Sequence, residues 1–557
     1  MPAKKKSKAS KAKKTKKSSK KKAVTSSAKK KSAGGTKSSK STKKAAPAKS
    51  AAKKAVKKAS KNATKKASKK AAAKTGGNKP AAPPVFLINM IPRALSGESH
   101  QDSEPHLTVN PSNPLQIVGT AFTPDPGGGV NAPIYVSMDG GNTWTLNSIV
   151  PSVAGARAGT GDITTAFNKD ASRIYAGILR SGSGNQEFLR ANDFNAPTPM
   201  TILESRRGPD QPFTHAITVK NGGSKGKDRV YIGNNDLALA GAIQGGKTAT
   251  IDQTLNAASG TPVFRKVRIE VRTTAGQDGA QVRPVAHADG TVYAVFYRWR
   301  SVTGNFSSNT LLVTSADVVV VRDDNGGNGN TPYTALVDPG DGLAGMRVIK
   351  GVTFPFMSKG TAATGQQRLG GSLSITVDPN NSSTVYLSWA DKPTGSSTMQ
   401  TLHVCRSMDR GATWSTDLLT IPSATNGALA INSNGKVAYL YQEFKDTQGD
   451  PRWITHVRRT TDGTNWDDLI LANVSAVTPS KDANGFDPYI GDYVHIVTVG
   501  KDFYGVFSAS NTPNLLNFPN GVKYQRNADF NTRKLLRLDN TTPVLPSIDP
   551  FFFKLTE

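Results

Sequence analysis

Apolar residues recur at alternate positions in short runs along most of the chain, and successive runs are separated by turns rich in Asn, Asp, Gly and Pro. Period-two alternation bounded by such turns predicts β-hairpins. Seven hairpins follow, over 104–121, 162–179, 210–235, 283–296, 371–389, 426–441 and 487–507. Their turns include Asn110-Pro111-Ser112-Asn113-Pro114, Asp289-Gly290, Asp378-Pro379-Asn380 and Asn434-Gly435. Nothing in the pattern calls for a long helix.

After most of these hairpins comes a further apolar strand that ends in a recurring motif. Ser137-Met138-Asp139-Gly140-Gly141-Asn142-Thr143-Trp144 returns as Ser407-Met408-Asp409-Arg410-Gly411-Ala412-Thr413-Trp414, and a version one residue shorter runs Thr460-Thr461-Asp462-Gly463-Thr464-Asn465-Trp466. The residue types describe a clipped turn. Asp accepts backbone N–H bonds within it, Gly supplies positive φ, the Ser or Thr hydroxyl closes the local network, and Trp buries its ring on the sheet. The expected role of Ser137, Asp139, Gly141, Trp144, Ser407, Asp409, Gly411, Trp414, Thr460, Asp462 and Trp466 is therefore structural. Degenerate strands of the same kind include Phe188-Leu189-Arg190, Val319-Val320-Val321 and Val522-Lys523-Tyr524, the last read as the seventh.

The motif resembles the Asp-box, or bacterial neuraminidase (BNR) repeat, of sialidase-type β-propellers. Two hairpins per period make a four-stranded blade. The 454 residues from Glu104 onward allow about 65 per blade for seven blades or about 76 for six. The expected fold is thus all-β, a single propeller with seven blades favoured and six the alternative. It would occupy 83–557, with the segment near 540–557 closing the ring or packing on it. The stretches Ser103-Glu104-Pro105-His106 and Tyr489-Ile490-Gly491-Asp492-Tyr493-Val494 are similar to segments of sialidase-like proteins.

Charge changes the picture at one end only. The formal net charge is +32, yet residues 1–80 hold 31 Lys, no Arg and no acidic residue. The remainder carries 41 basic and 40 acidic residues. The first 80 residues also lack Leu, Ile, Phe, Tyr and Trp, so 1–82 is expected to be a disordered polycationic tail without a core. Its Lys/Ala/Ser vocabulary resembles linker-histone and bacterial histone-like tails. Lys4, Lys5, Lys6, Lys13, Lys14, Lys16, Lys17, Lys20, Lys21, Lys22, Lys53, Lys54, Lys57 and Lys58 are the expected contacts to nucleic acid or another polyanion, with affinity that falls steeply with salt.

The single cysteine, Cys405, excludes an internal disulfide framework and a cysteine-based zinc site. No apolar run approaches the length of a membrane span, and none follows a short basic stretch as a secretory signal would require. Compartment stays open: the tail points to a nucleoid or nucleus, whereas sialidase-like propellers are commoner outside cells. A monomer is expected.

Chemistry in a propeller concentrates where the innermost strands begin, around one mouth of the central channel. The residues at those starts are Glu104, Asp162, Asp210, Arg283, Arg368, Asn426 and Asp487, with Tyr489 and Tyr493 beside the last. Glu104, Asp210, Arg283, Arg368, Asp487 and Tyr489 are the catalytic candidates, against an alternative role in blade-to-blade bonding. The sialidase resemblance implies clustered arginines for a sugar carboxylate, a Tyr nucleophile assisted by Glu, and a separate Asp acid/base. The family's Phe/Tyr-Arg-Ile-Pro motif is absent; Ile91-Pro92-Arg93 has similar letters in another order. Arg206, Arg207, Arg298 and Arg300 could equally supply a clamp. His100 and His106 flank Asp102 and Glu104, but a short loop broken by Pro105 is a poor preformed metal cage, so no metal and no cofactor are expected. Two functions remain open. The first is a non-enzymatic propeller that binds a glycan or protein and is tethered by its tail. The alternative is a sialidase-like glycoside hydrolase.

Overall fold

The computed structural model describes residues 85–557 apart from 152–158, 169, 171, 181–183, 221, 238–245, 280–281, 305–309, 357–363, 366, 368–371, 393–399 and 478–489. The basic segment and its lysines, and the candidates Arg368, Asp487 and Tyr489, lie outside the described residues. Among the described residues no helix is long and apolar enough to cross a membrane; the helical turns are Arg93–Leu95, Gly222–Ser224 and Leu515–Asn517.

The strands pair into seven blades. Blade 1 comprises His106–Val109, Ile117–Thr120, Asn131–Ser137 and Thr145–Pro151. Blade 2 runs from Ile163–Phe167 to Thr201–Arg207, blade 3 from Pro209–Thr218 to Arg265–Arg268, and blade 4 from Arg283–Ala286 to Met346–Pro355. Blade 5 runs from Ser374–Asp378 to Leu419–Ile421, and blade 6 from Ala424–Ile431 to Asp467–Ser475. Each of these six is a four-stranded antiparallel meander in chain order. Their first strands lie side by side around the axis, and His495–Val499 of blade 7 closes the circle against His106–Val109.

The core sits between blades. Seven apolar clusters are found among the described residues, one for each pair of neighbouring blades around the ring. Both faces of a blade are therefore covered, which is why inner and middle strands such as Val318–Val321 are apolar at every position rather than at alternate ones. Cys405 is buried in the cluster between blades 4 and 5.

Blade 7 departs from the expectation for its outer strands. The stretch 522–529, read from the sequence as the strand before a seventh box, does not hold the third position. That position belongs to Ile548–Leu555, paired along its length with Asp502–Ser510, and the fourth is Val85–Asn89, paired Val85↔Leu555 through Asn89↔Phe551. Lys523–Tyr524 adds only a two-residue parallel edge beyond it. Asp529 does form a box-like turn with Asn531 and Thr532, but on a small separate sheet. The reason is burial. Phe551 and Phe553 join the cluster toward blade 6, whereas Phe552 turns the other way onto Trp144 of blade 1, at 5.3 Å between ring centroids. Three consecutive phenylalanines satisfy a strand covered on both faces, and 522–529 has no comparable run.

The boxes are hydrogen-bonded turns on the outer side of their blades. Ser137 Oγ donates to Asp139 at 2.9 Å and accepts from Gly141 N at 2.8 Å, Asp139 accepts from Thr143 N at 2.9 Å, and Trp144 Nε1 donates to the Gly141 carbonyl at 3.1 Å. Ser407, Asp409, Gly411 and Trp414 repeat this set, and Thr460, Asp462, Gly463 and Trp466 repeat it with one residue fewer. The turn donors hold Asp139, Asp409 and Asp462 below the ordinary carboxylate range.

Candidate functional site at the channel mouth

The innermost strands all begin at the same face, so the residues at their starts converge on the axis. Three of those residues have positive φ without being glycine: Glu104 (55°), Gln211 (50°) and Asn426 (59°). Backbone strain of this kind costs on the order of 1 kcal/mol or more per residue and gathers at functional sites. Blades 3 and 6 also carry register shifts at these points, between Asp210 and Phe213 and between Thr425 and Ala428.

The segment Gly491-Asp492-Tyr493, leading into blade 7, crosses this mouth and is held from several blades. The Gly491 carbonyl accepts from Gln367 Nε2 at 2.8 Å and Asn426 Nδ2 at 3.0 Å. Gln211 Nε2 reaches Asp492 at 3.4 Å, Asn235 Nδ2 donates to Gln211 at 2.9 Å, and Gln277 donates in turn to Asn235. Gly491 has φ +93°, and a Cβ there would stand 2.4 Å from the Glu104 nitrogen, so the crossing requires glycine.

Beneath the segment lies a plug. The Arg283 guanidinium stacks 4.0 Å above the Phe213 ring and lies 5.6 Å from that of Tyr493. Phe213 meets His106 and His495 edge-on, and those two imidazoles stack at 3.8 Å. Burial pushes both histidines down, with neighbouring positive charge adding to it; His495 falls to about 3 and is neutral at pH 7. Burial also lowers Arg283 to about 9, against the pull of Tyr493 and Glu104. Tyr493 is raised well above its usual range by burial and by the charges of Glu104 and Asp162, so its phenol is protonated. The Tyr493 hydroxyl and Arg283 Nε are buried with no hydrogen-bond partner among the described residues. Below the plug a cavity of about 430 Å³ follows the inner strands to the far-face turns at Pro111, Lys220 and Pro379.

The structure thus brings Glu104 and Arg283 together with Tyr493. Asp210 is placed apart, at the rim, where Lys247 bridges it to Asp278. Of the alternative arginines, Arg206 pairs with Asp236 and Asp252, Arg298 and Arg300 pair with Asp317, and Arg207 lies exposed on an outer strand. Residues that sequence reasoning missed are the amides Gln211, Asn235, Gln277 and Gln367, together with Phe213. One signal was legible: Asn234-Asn235-Asp236 follows the apolar run Val230-Tyr231-Ile232 at the end of the strand Asp228–Asp236 and is wholly buried, which demands partners for every polar atom.

No protein-family profile matches the chain, and no curated protein does. Similar solved structures include the α-L-arabinofuranosidase Arb93A of Fusarium graminearum (10% identity, 84% of this chain and 97% of that one, TM-score 0.36). An α-L-arabinanase of Penicillium chrysogenum (13%, 84% and 97%, 0.35) and a sialidase of Trypanosoma rangeli (13%, 85% and 60%, 0.34) are further examples. At these identities and TM-scores the likeness carries no argument about this chain. The blade count and ring closure rest on its own strand pairing.

Proposed function

We propose that the propeller is a glycoside hydrolase whose reaction centre is the channel mouth, with Glu104, Arg283 and Tyr493 as its working group. The observation that carries this is the convergence, from blades 1, 4 and 7, of a carboxylate on strained backbone, a guanidinium and a tyrosine whose hydroxyl has no partner among the described residues. A phenol beside a carboxylate is a nucleophile with its base. A planar guanidinium across the channel is suited to a sugar carboxylate or to charge that develops in the transition state. Asp162 and Asp492 are the available acids on either side. The glycosidase names of the similar structures agree with this reading but do not carry it.

A second reading, a non-catalytic glycan-binding propeller, is favoured by one observation: Glu104 and Tyr493 are only 4% and 1% exposed. A panel of fluorogenic sialosides, arabinofuranosides and other glycosides on the full chain separates the two. The expected result is turnover of one class, lowered about 10²-fold or more by Glu104→Gln and by Tyr493→Phe with the melting temperature unchanged. Saturable glycan binding without turnover would leave the second reading in place and remove the first.

For residues 1–80 we infer localisation by electrostatics, on the strength of 31 lysines with no acidic residue. Binding to duplex DNA across a salt series should fall linearly in log K against log salt. Binding that ignores salt would refute it.

A further inference from the structure

The segment that delivers Glu104 to the mouth is tied, just before it, to the strand that closes the ring. Asp102 N donates to the Ile548 carbonyl at 2.9 Å, Gln101 forms a parallel bridge with Ile548, and Ser508 Oγ donates to the Asp102 carbonyl at 2.9 Å. At this junction three carboxylates meet. One oxygen each from Glu98, Asp102 and Asp549 lies within 4.8 Å of the other two. Asp102 and Asp549 are fully buried, and the Glu98 side chain is 11% exposed.

The positive charge at hand is the buried Arg526, which already pairs with two of the three carboxylates. Its Nη1 lies 2.9 Å from Asp549 and 3.3 Å from Glu98, and its Nη2 donates to the carbonyls of Ser96 and Glu98. Asp549 also accepts from Asn89 and Asn511. Among the described residues neither oxygen of Asp102 accepts a hydrogen bond from a well-placed N–H or hydroxyl group, although the carboxylate is aimed into the cluster. The Thr123 hydroxyl is near enough to favour its charged form but is engaged with Tyr135 Oη at 2.9 Å. Burying an ionised carboxylate without a counter-charge is strongly unfavourable. With all three ionised, one guanidinium leaves two negative charges unmatched.

We propose that Glu98, Asp102 and Asp549 form a site for one hard divalent cation of the calcium class, which locks the ring closure and the approach to Glu104. The donor set is all oxygen, which selects calcium or magnesium over zinc. Oxygens bound to one calcium at 2.3–2.6 Å stand up to roughly 5 Å apart, so three oxygens within 4.8 Å of one another can share one such ion. The site is separate from the proposed reaction centre and stands whether or not the mouth hydrolyses glycosides.

The experiment uses the full chain, stripped with EDTA and titrated with calcium chloride alone or magnesium chloride alone. Expected results are one calcium retained per chain by elemental analysis and a saturable rise in melting temperature of about 3 °C, smaller with magnesium. Both effects should be lost in Asp102→Asn and weakened in Glu98→Gln. Terbium added to the stripped wild type should give tyrosine-sensitised luminescence, since Tyr135 borders the cluster, and calcium should displace it; this reads the site even if Asp102→Asn fails to fold. The proposal is overturned if wild type neither retains calcium nor shifts with it, if terbium gives no displaceable signal, or if Asp102→Asn responds to calcium like wild type. An Asp102→Asn chain more stable than a calcium-indifferent wild type would show that a proton and Arg526 alone neutralise the cluster.

Discussion

Gly141 joins the first box to the closure of the ring, and replacing it tests both. Alanine there would have to hold φ at +92°, with its methyl group 2.1 Å from a ring carbon of Phe552. The left-handed backbone costs roughly 1–2 kcal/mol for a residue with a Cβ. The overlap cannot relax easily, because Phe552 is fully buried between Trp144 and Phe86; forced overpacking adds about 1–3 kcal/mol. Gly141→Ala should therefore destabilise by about 2–5 kcal/mol in all. Two neighbours serve as internal controls. Gly140→Ala carries the backbone term alone, since φ is +75° but the nearest atom stands 3.4 Å away, and the second box already holds Arg410 at that position with φ 63°. Gly411→Ala meets only the flexible end of Leu336, at 3.1 Å, and should fall between the two. Urea unfolding followed by tryptophan fluorescence gives the midpoints. Equal losses for all three variants, or a Gly141→Ala chain within about 0.5 kcal/mol of wild type, would refute the packing of the first box against the closing strand.

Two further outcomes follow from buried groups. Burial pushes the Cys405 thiol above any working pH, so thiol reagents should leave the native chain unlabelled and modify it only as fast as it unfolds; rapid stoichiometric labelling would contradict the packing between blades 4 and 5. His403 stacks on Trp389 and bonds Asp417 at 2.7 Å and Asp391 at 3.3 Å. Burial lowers its pKa, but the two carboxylates more than reverse this, to about 9. A histidine raised above its unfolded value contributes fully below about pH 6.5 and loses that contribution as pH rises through 9, a change of order 1 kcal/mol after solvent screening. His403→Gln should flatten the fall in stability over that window; an unchanged pH profile would show the pair to be energetically idle.

The inner hairpins were legible because a hairpin is a local object. Alternation and a turn such as Asp289-Gly290 are decided within some fifteen residues, and the six inner hairpins before the last fall on observed strand pairs and begin close to them, although the second strands of the fourth and sixth run on to Thr303 and Thr447. The boxes were legible for the same reason: the side-chain bonds of Ser137 and Asp139 stay within the turn. At the site, Glu104 and Arg283 could be named from their positions at strand starts. Asp210 could not be separated from them, because its lysine partner lies 37 residues on, in a different strand connection. The amide chain from Gln277 through Asn235 and Gln211 to Asp492 was invisible, since no periodic pattern marks a hydrogen bond across a channel.

By itself the sequence determined an all-β chain of repeated hairpins with clipped turns, and placed an entire charge of +31 in its first 80 residues against +1 in the rest. Those properties follow from short-range sterics, turn chemistry and composition, which need no knowledge of distant partners. Tertiary structure alone decided that there are seven blades, that Val85–Asn89 and Ile548–Leu555 complete the last, and that Glu98 and Asp102 meet Asp549. Closure of the ring is the physical reason. It pairs the ends of the propeller with each other, and the choice between Ile548–Leu555 and 522–529 is made by which segment can bury phenylalanine on both faces between blades already in place.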